Sequence, residues 1–223
     1  MLAPNRDSSA NPAFAEDAQV SRPFEWALGE SINALAPLVK EHVLQLPGTI
    51  VVYRGRVRVW RDGGWRGKIA SLLLRIGVFG RFLFPETGDD VDFEVKHVVT
   101  SHEDGSLSMS WMRTYQFSGV QREFIAMMRF HRENGPIINW HGCRGLLQVE
   151  LVASVEGSAI VVVSRREWLT LGFLRIPLPK WLMGRPYVRE WQEPDGALHI
   201  RVEIHNTLLG HFWGYEGTYS RVS

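Results

Sequence analysis

Hydrophobic and polar positions alternate with a period of two over most of the chain, and this pattern predicts β-strands. The first such run, Thr49–Arg61, carries apolar residues on one face and mainly arginines on the other. Because successive side chains of a strand point to opposite faces, this run suits a sheet with one buried face. Similar runs continue to residue 219 and are separated by short turns such as Glu156–Gly157 and Pro194–Gly196. We predict about nine strands.

The connections between these strands indicate how the sheet is built. The second half of the chain contains no helical stretch long enough to join parallel strands, so the sheet should be antiparallel. About nine strands tend to curl, and a barrel of this size either fills its interior or holds one small ligand. We therefore predict a mainly β (α+β) fold, an antiparallel β-barrel or a strongly curved sheet.

Two stretches of the N-terminal half have helical spacing instead. Apolar residues recur at intervals of three and four from Ser31 to Leu46, and again over Lys68–Leu83. These patterns predict two helices. Residues 1–22 show no apolar periodicity and are predicted to form a mobile leader, which leaves residues 23–223 as a single β domain.

Composition and charge narrow the class of protein. A net charge of +1 argues against a nucleic-acid binder. The lone Cys143 cannot form an internal disulfide and is expected to be an inert thiol, and the N-terminus lacks the apolar core of a secretory signal, so we expect a cytoplasmic location. Neither metal-ligand spacing nor a nucleotide or nucleophile motif occurs. We expect no metal and no cofactor.

One charged residue interrupts the apolar face of a predicted strand. In Leu107–Phe117, Arg113 shares a face with Trp111 and Tyr115. An unpaired charge among apolar side chains is expensive, so Arg113 should meet either a protein carboxylate or a bound anion. In the second case the guanidinium would hold a carboxylate or phosphate group while the rings hold an apolar tail. The residues alone leave both alternatives open.

Two histidines and two further aromatic residues are also candidates. His97 extends an inward apolar face and serves either as a core histidine or in acid–base or ligand-contact chemistry, because the imidazole pKa lies near neutrality. His211 shares a face of the last strand with Trp213 and Tyr215, a pattern typical of a core or a pocket wall. The ligand-binding candidates are Arg113, Trp111, Tyr115, His97, Trp213 and Tyr215. If the protein is an enzyme, the catalytic candidates are His97, His211 and Arg113.

A basic region lies between Tyr53 and Pro85. Eight lysines and arginines from Arg54 to Arg81 face a single acid, Asp62, which gives this region a net charge of +7. Such a region either makes peripheral contact with an anionic membrane, or guides an anionic ligand, or simply keeps a strand face solvated.

With these residues assembled, the chain resembles the bacterial DUF4166 family, a domain of unknown function sometimes fused behind a saccharopine-dehydrogenase-like domain. The resemblance runs from about Leu35 to Tyr219. It rests on the segments Trp111–Phe117, Glu133–Pro136, Pro177–Pro179 and Leu209–Tyr219. It supports the domain limits and the importance of Arg113, and it implies no settled activity. Because the glycine-rich fingerprint of the dehydrogenase domain is missing here, no nicotinamide cofactor is carried over.

Three functions are compatible with these patterns. The first is binding of a hydrophobic or amphipathic, anionic, lipid-like small molecule inside the barrel. The second is a cofactor-free isomerase or cyclase acting on a polyketide- or terpenoid-like substrate, with a histidine moving a proton and Arg113 stabilising an oxyanion. The third is an interaction partner of a dehydrogenase supplied by another chain, for which an exposed aromatic patch would be the mark.

Overall fold

The computed structural model of the protein describes residues 23–103, 106–130, 136–142 and 145–222. The predicted leader and Cys143 lie outside these residues. The helices are α1 (Pro23–Leu28), a 3-10 helix (Gly29–Ala34), α2 (Pro37–Val43), α3 (Gly64–Gly80) and α4 (Lys180–Met183). The strands are β1 (Ile50–Trp60), β2 (Gly88–Ser101), β3 (Leu107–Phe117), β4 (Val120–Phe130), β5 (Ile137–His141), β6 (Leu147–Glu156), β7 (Ala159–Leu171), β8 (Leu174–Leu178), β9 (Arg185–Gln192), β10 (Leu198–Asn206) and β11 (Gly210–Arg221).

Ten of these strands form a closed antiparallel barrel, which confirms the predicted fold class. From β1 to β7 each strand pairs with the next along the chain, and β7 then pairs with β9. The ring is completed by β9, β10 and β11, and β11 pairs with β1. Strand β8 lies outside the ring as a hairpin partner of β7. Strands account for more than half of the residues that the structure describes.

The structure differs from the prediction in two short strands, β5 and β8, which were not predicted, and in one predicted helix, which is divided in two. Strand β5 is five residues long, and β8 contains Pro177, which an edge strand tolerates because proline's missing N–H need not join the ladder. The helix predicted from Ser31 to Leu46 is divided into a 3-10 helix and α2. Pro37 lies at the start of α2, where the absent N–H costs nothing, but it cannot continue a helix that precedes it.

Helices cover both ends of the barrel. At the α2 end, where β1 begins and β11 ends, the Ala36 N–H donates to the Ser158 carbonyl and the Leu38 N–H donates to the Gln192 side chain. At the α3 end, where β1 ends and β11 begins, the Ile125 N–H donates to the Arg81 carbonyl. The barrel interior is therefore enclosed from two sides. No helix in the described residues has the length and hydropathy to cross a bilayer.

The seam between β1 and β11 depends on glycine. A Cβ atom on Gly55 would lie 1.9 Å from the Thr218 carbonyl oxygen, and one on Gly217 would lie 2.0 Å from the Arg56 carbonyl oxygen. Backbone atoms cannot move aside as a flexible side chain can, so the two strands pass this closely only because both positions lack a side chain.

Candidate functional site

The barrel encloses a cavity of about 100 Å³. Most of its lining residues are apolar and come from strands on all sides, with Phe24 of α1 and Phe82 after α3 at the ends. The polar and charged exceptions are Arg113, Asn139, His141, Glu167 and Glu190. A mainly apolar chamber with a few convergent polar groups is typical of a small-molecule site.

Arg113 projects into this cavity from β3 and is only 6% exposed. Its guanidinium carbon lies 4.8 Å from the Trp111 ring centroid and 5.3 Å from that of Phe124. In the part of the chain that the structure describes, no hydrogen bond or ion pair reaches the guanidinium. The aromatic faces supply attraction for a cation, but they cannot replace the five hydrogen-bond acceptors that its N–H groups would find in water.

Two polar side chains of β5 lie in the same cavity. Asn139 Nδ2 and His141 Nε2 are 3.2 Å apart, and the His141 ring meets Phe124 edge to face. Burial, reinforced by the Arg113 charge, lowers the pKa of His141 to about 3. The imidazole is therefore neutral at pH 7 and adds no second positive charge beside Arg113.

Two carboxylic acids line the cavity without pairing with Arg113. Burial raises the pKa of Glu167, and its Oε2 has no hydrogen-bond partner among the described residues. Glu190 on β9 is 2% exposed, and its Oε1 is in contact with His42 Nδ1 of α2. The cavity thus combines a cation, an acid with a raised pKa and a glutamate in contact with a histidine.

A chain of buried polar groups continues from Glu190. His42 Nε2 lies 3.2 Å from His97 Nε2, and the Gln45 amide nitrogen lies 3.0 Å from His97 Nδ1. Since the amide NH₂ of Gln45 can only donate, His97 Nδ1 accepts and its proton is on Nε2. His97 therefore donates to His42, whose own proton is on Nδ1 and faces Glu190. Burial, reinforced by the nearby His42 and Arg113, lowers the pKa of His97 well below its usual value, which agrees with a neutral ring.

The structure brings together most of the residues singled out in the sequence. Trp111, Arg113, Trp213 and Tyr215 line the cavity. Tyr115 is fully buried beside them, with its ring centroid 5.4 Å from that of Tyr215. His97 lies behind the cavity wall, where its ring stacks on Trp111 at 5.0 Å.

His211 is placed elsewhere. It is exposed near the start of β11, and its backbone N–H donates to Asp62. A β-bulge causes this placement, because the pairing shifts between Ile204 and His205 so that two residues of β11 oppose one of β10. The bulge breaks the alternation, and His211 does not share the inward face of Trp213.

Sequence reasoning missed several residues of the site. Asn139 and His141 follow Ile137 on the inward face of β5, an alternation that would have revealed them had this short strand been recognised. Glu190 alternates with Val188 in the same way on β9. Alternation along β7 does not reveal Glu167. The pairing with β6 shifts between Glu150 and Leu151, and the extra residue on β7 interrupts the alternation of inward and outward side chains. In the described residues no cluster of three metal-ligating side chains occurs.

Comparison with known proteins places the chain among proteins of unknown function. It is 34% identical over 154 residues to the uncharacterized protein YndH of Bacillus subtilis (strain 168), an alignment that covers 68% of this chain and 75% of YndH. The model of the DUF4166 family matches residues 35–219, which include ten complete strands and most of β11. The chain belongs to the DUF4166 family, a domain of unknown function.

Proposed function

We propose that the barrel binds an amphipathic, anionic small molecule, with the anionic group against Arg113 and the apolar part against the cavity wall. The observation that carries this proposal is the buried Arg113 guanidinium, which faces a cavity and has no hydrogen-bond or ion-pair partner among the described residues. A carboxylate or phosphate would accept two parallel hydrogen bonds from the guanidinium and neutralise its charge.

The cavity volume limits the size of this ligand. About 100 Å³ corresponds to roughly three water molecules, at about 30 Å³ for each. This is well below the roughly 300 Å³ at which drug-sized pockets begin. A compact carboxylate with a short hydrocarbon tail fits the closed barrel, whereas a lipid-like molecule with a long chain requires one end to open.

Calorimetric titration with butyrate and butyramide tests the proposal, because the two molecules have the same size and differ in charge. We expect butyrate to bind and butyramide to bind far more weakly. Arg113→Met should reduce butyrate affinity at least about 30-fold, since removing one side of a buried charge pair costs about 2 kcal/mol or more. Arg58→Met, which removes an arginine from the outside of the barrel, is the matched control.

Native mass spectrometry of the purified protein provides a second readout. A copurified small anion that is present in the wild type and the Arg58→Met protein, but lost in Arg113→Met, would support the proposal and identify the ligand. Equal affinity for butyrate and butyramide, or unchanged butyrate affinity in Arg113→Met, would refute it.

The buried chain from Glu190 favours a second candidate, a cofactor-free isomerase or cyclase on a polyketide-like substrate. Glu190 lies at the cavity wall in contact with His42, and in its carboxylate form it would take a proton from a carbon next to a carbonyl group while Arg113 stabilises the enolate oxygen. Acetoacetate in D₂O tests this function. Exchange of its methylene protons above the buffer rate, abolished by Glu190→Gln, would support catalysis, and exchange at the buffer rate would exclude it for this substrate class.

A further inference from the structure

The cations of the basic region separate into two groups. On β1, three arginines form ion pairs with acids at the start of β2: Arg54 with Glu94 at 2.7 Å, Arg56 with Asp90 at 3.1 Å, and Arg58 with Asp89 at 2.9 Å. On α3, by contrast, Arg66, Lys68 and Arg75 have no ion pair with any carboxylate in the described residues. Apart from Arg61, which donates to backbone carbonyls, the cations of the basic region that lack an ion pair among the described residues therefore lie on α3.

Helix α3 exposes large apolar residues beside these cations. Leu74 is fully buried against the barrel, but Phe79 is 88% exposed, and Trp65 and Leu72 are each 65% exposed. The helix contains no acidic residue. Monomeric soluble proteins rarely expose a patch of large apolar side chains without a use for it.

A second exposed group lies at the same end of the barrel, on the β7–β8 hairpin and α4. Phe173 at the hairpin turn is 97% exposed, and Trp181 of α4 is also largely exposed, with Arg175 and Lys180 close by in sequence. The Asn206 side chain donates to the Trp181 carbonyl at 2.8 Å, which ties α4 to the end of β10.

The start of α3 is fixed to the neighbouring strand at this same rim. Asp62, just before α3, accepts the backbone N–H of His211 at 3.1 Å, at the beginning of β11. Helix α3 and the hairpin with α4 therefore flank one rim. We call this combined region the α3-end surface. It consists of Trp65, Arg66, Lys68, Leu72, Arg75, Phe79, Phe173, Arg175, Lys180 and Trp181.

We propose that the α3-end surface docks the protein on an anionic lipid bilayer. Aromatic and leucine side chains suit the boundary between headgroups and acyl chains, and lysines and arginines among them are attracted to anionic lipid headgroups. The absence of acids from α3 favours a negatively charged partner. A protein partner with mixed charges would gain less from this one-sided arrangement.

A groove beside α3 offers a place for a lipid headgroup. It has a volume of about 610 Å³ and is lined by Arg61, Asp62, Lys68 and Arg75, with Leu72 at its side. Arg61 donates to backbone carbonyls, so Lys68 and Arg75 are the cations available to a phosphate group. This docking role stands independently of ligand binding in the barrel.

Co-sedimentation with vesicles tests the proposal. The full chain is mixed with vesicles of phosphatidylcholine and with vesicles of phosphatidylcholine and phosphatidylglycerol in equal amounts. We expect binding to the anionic vesicles only, weakened by salt. Lys68→Gln and Arg75→Gln should each lower the partition coefficient about five-fold, which corresponds to about 1 kcal/mol per cation. Phe173→Ser should lower it about tenfold or more, because its ring no longer enters the interface.

Matched controls come from the α2 end of the barrel. Lys40→Gln removes one positive charge there, and Leu46→Ser removes an exposed leucine. Both should bind the anionic vesicles as the wild type does. Because Phe173 and the α3 cations are exposed, their replacements should leave the thermal unfolding curve unchanged, so lost binding would not reflect lost folding.

Three results would overturn the proposal. These are no binding to the anionic vesicles, equal binding to both kinds of vesicle, and equal losses in the α2-end controls. Light scattering tests the competing occupant, a second copy of this chain. A dimer that Phe173→Ser dissociates, together with no vesicle binding, would assign the α3-end surface to self-association instead.

Discussion

Replacing Arg113 with methionine measures what it costs to hold a cation inside the barrel. The effective penalty of burying one ion is several kcal/mol. Cation–π contacts with the rings of Trp111 and Phe124 each offset about 1–2 kcal/mol of this penalty. Methionine replaces the aliphatic part of the arginine side chain, carries no charge and packs well on aromatic rings. We therefore expect Arg113→Met to stabilise the ligand-free protein by about 1–2 kcal/mol, while abolishing anion binding.

Urea unfolding followed by tryptophan fluorescence measures this difference directly, and thermal unfolding provides a check. For a domain of this size, 1 kcal/mol corresponds to about 2–4 °C in Tm, so Arg113→Met should unfold roughly 2–8 °C higher than the wild type. Dialysed protein must be used, because a bound anion would stabilise the wild type alone.

Arg122→Met provides the contrasting control. Arg122 is partly buried, but unlike Arg113 it donates two hydrogen bonds to Glu86, at 2.8 and 2.5 Å. Its loss leaves Glu86 without those partners and should cost about 1–2 kcal/mol. If Arg113→Met is also destabilised, by about 2 kcal/mol or more, the guanidinium is satisfied within the protein and the reasoning behind the ligand site is refuted.

Three further substitutions test the packing and electrostatics of the barrel. Gly55→Ala should lower the free energy of unfolding, measured by urea titration, by about 3 kcal/mol or more, because the new Cβ meets a backbone atom at 1.9 Å. Gly63→Ala, which has open space around the new Cβ, should change it little. Equal urea midpoints for the two variants would contradict this reasoning. The pKa of His141 is about 3 in the folded protein, so as the pH falls the unfolded chain takes up a proton on this histidine before the folded protein does. The free energy of unfolding should therefore decrease below about pH 6.5, by up to about 1.4 kcal/mol per pH unit. His141→Asn should reduce this pH dependence in urea titrations. Burial raises the pKa of Glu167, so the folded protein holds the carboxyl proton more tightly than the unfolded chain does. The free energy of unfolding should therefore decrease as the pH rises above about 4.5, and Glu167→Gln should remove this decrease. An unchanged dependence of stability on pH in the variant would argue against the burial of Glu167.

Local alternation was enough to predict the inward faces of the barrel. Arg113, Trp111 and Tyr115 alternate along β3, and all three are buried on the inner side. The same alternation along β2 placed His97 inward, and this side chain is fully buried. These inferences succeeded because a strand's side-chain period is fixed by its backbone, whatever its neighbours are.

Pairings between distant segments could not be predicted in this way. Glu190 and His42 are far apart in sequence and meet only because α2 closes the barrel against β9. The bulge that turns His211 outward arises from pairing with β10, and nothing in the local pattern of β11 marks it. Whether Arg113 meets an acid was open for the same reason, since the acids that share its cavity, Glu167 and Glu190, lie on the distant strands β7 and β9.

The seam between β1 and β11 has a consequence for how the chain is made. β1 leaves the ribosome early, yet its partner on one side is the last strand of the barrel to be synthesised. Until then β1 and β10 each present an open edge, which can pair with another nascent chain. Closure must also await a contact that spans most of the sequence, so folding should be slow and largely post-translational. A truncation that removes β11 would therefore convert the protein into an aggregating sheet rather than a smaller barrel.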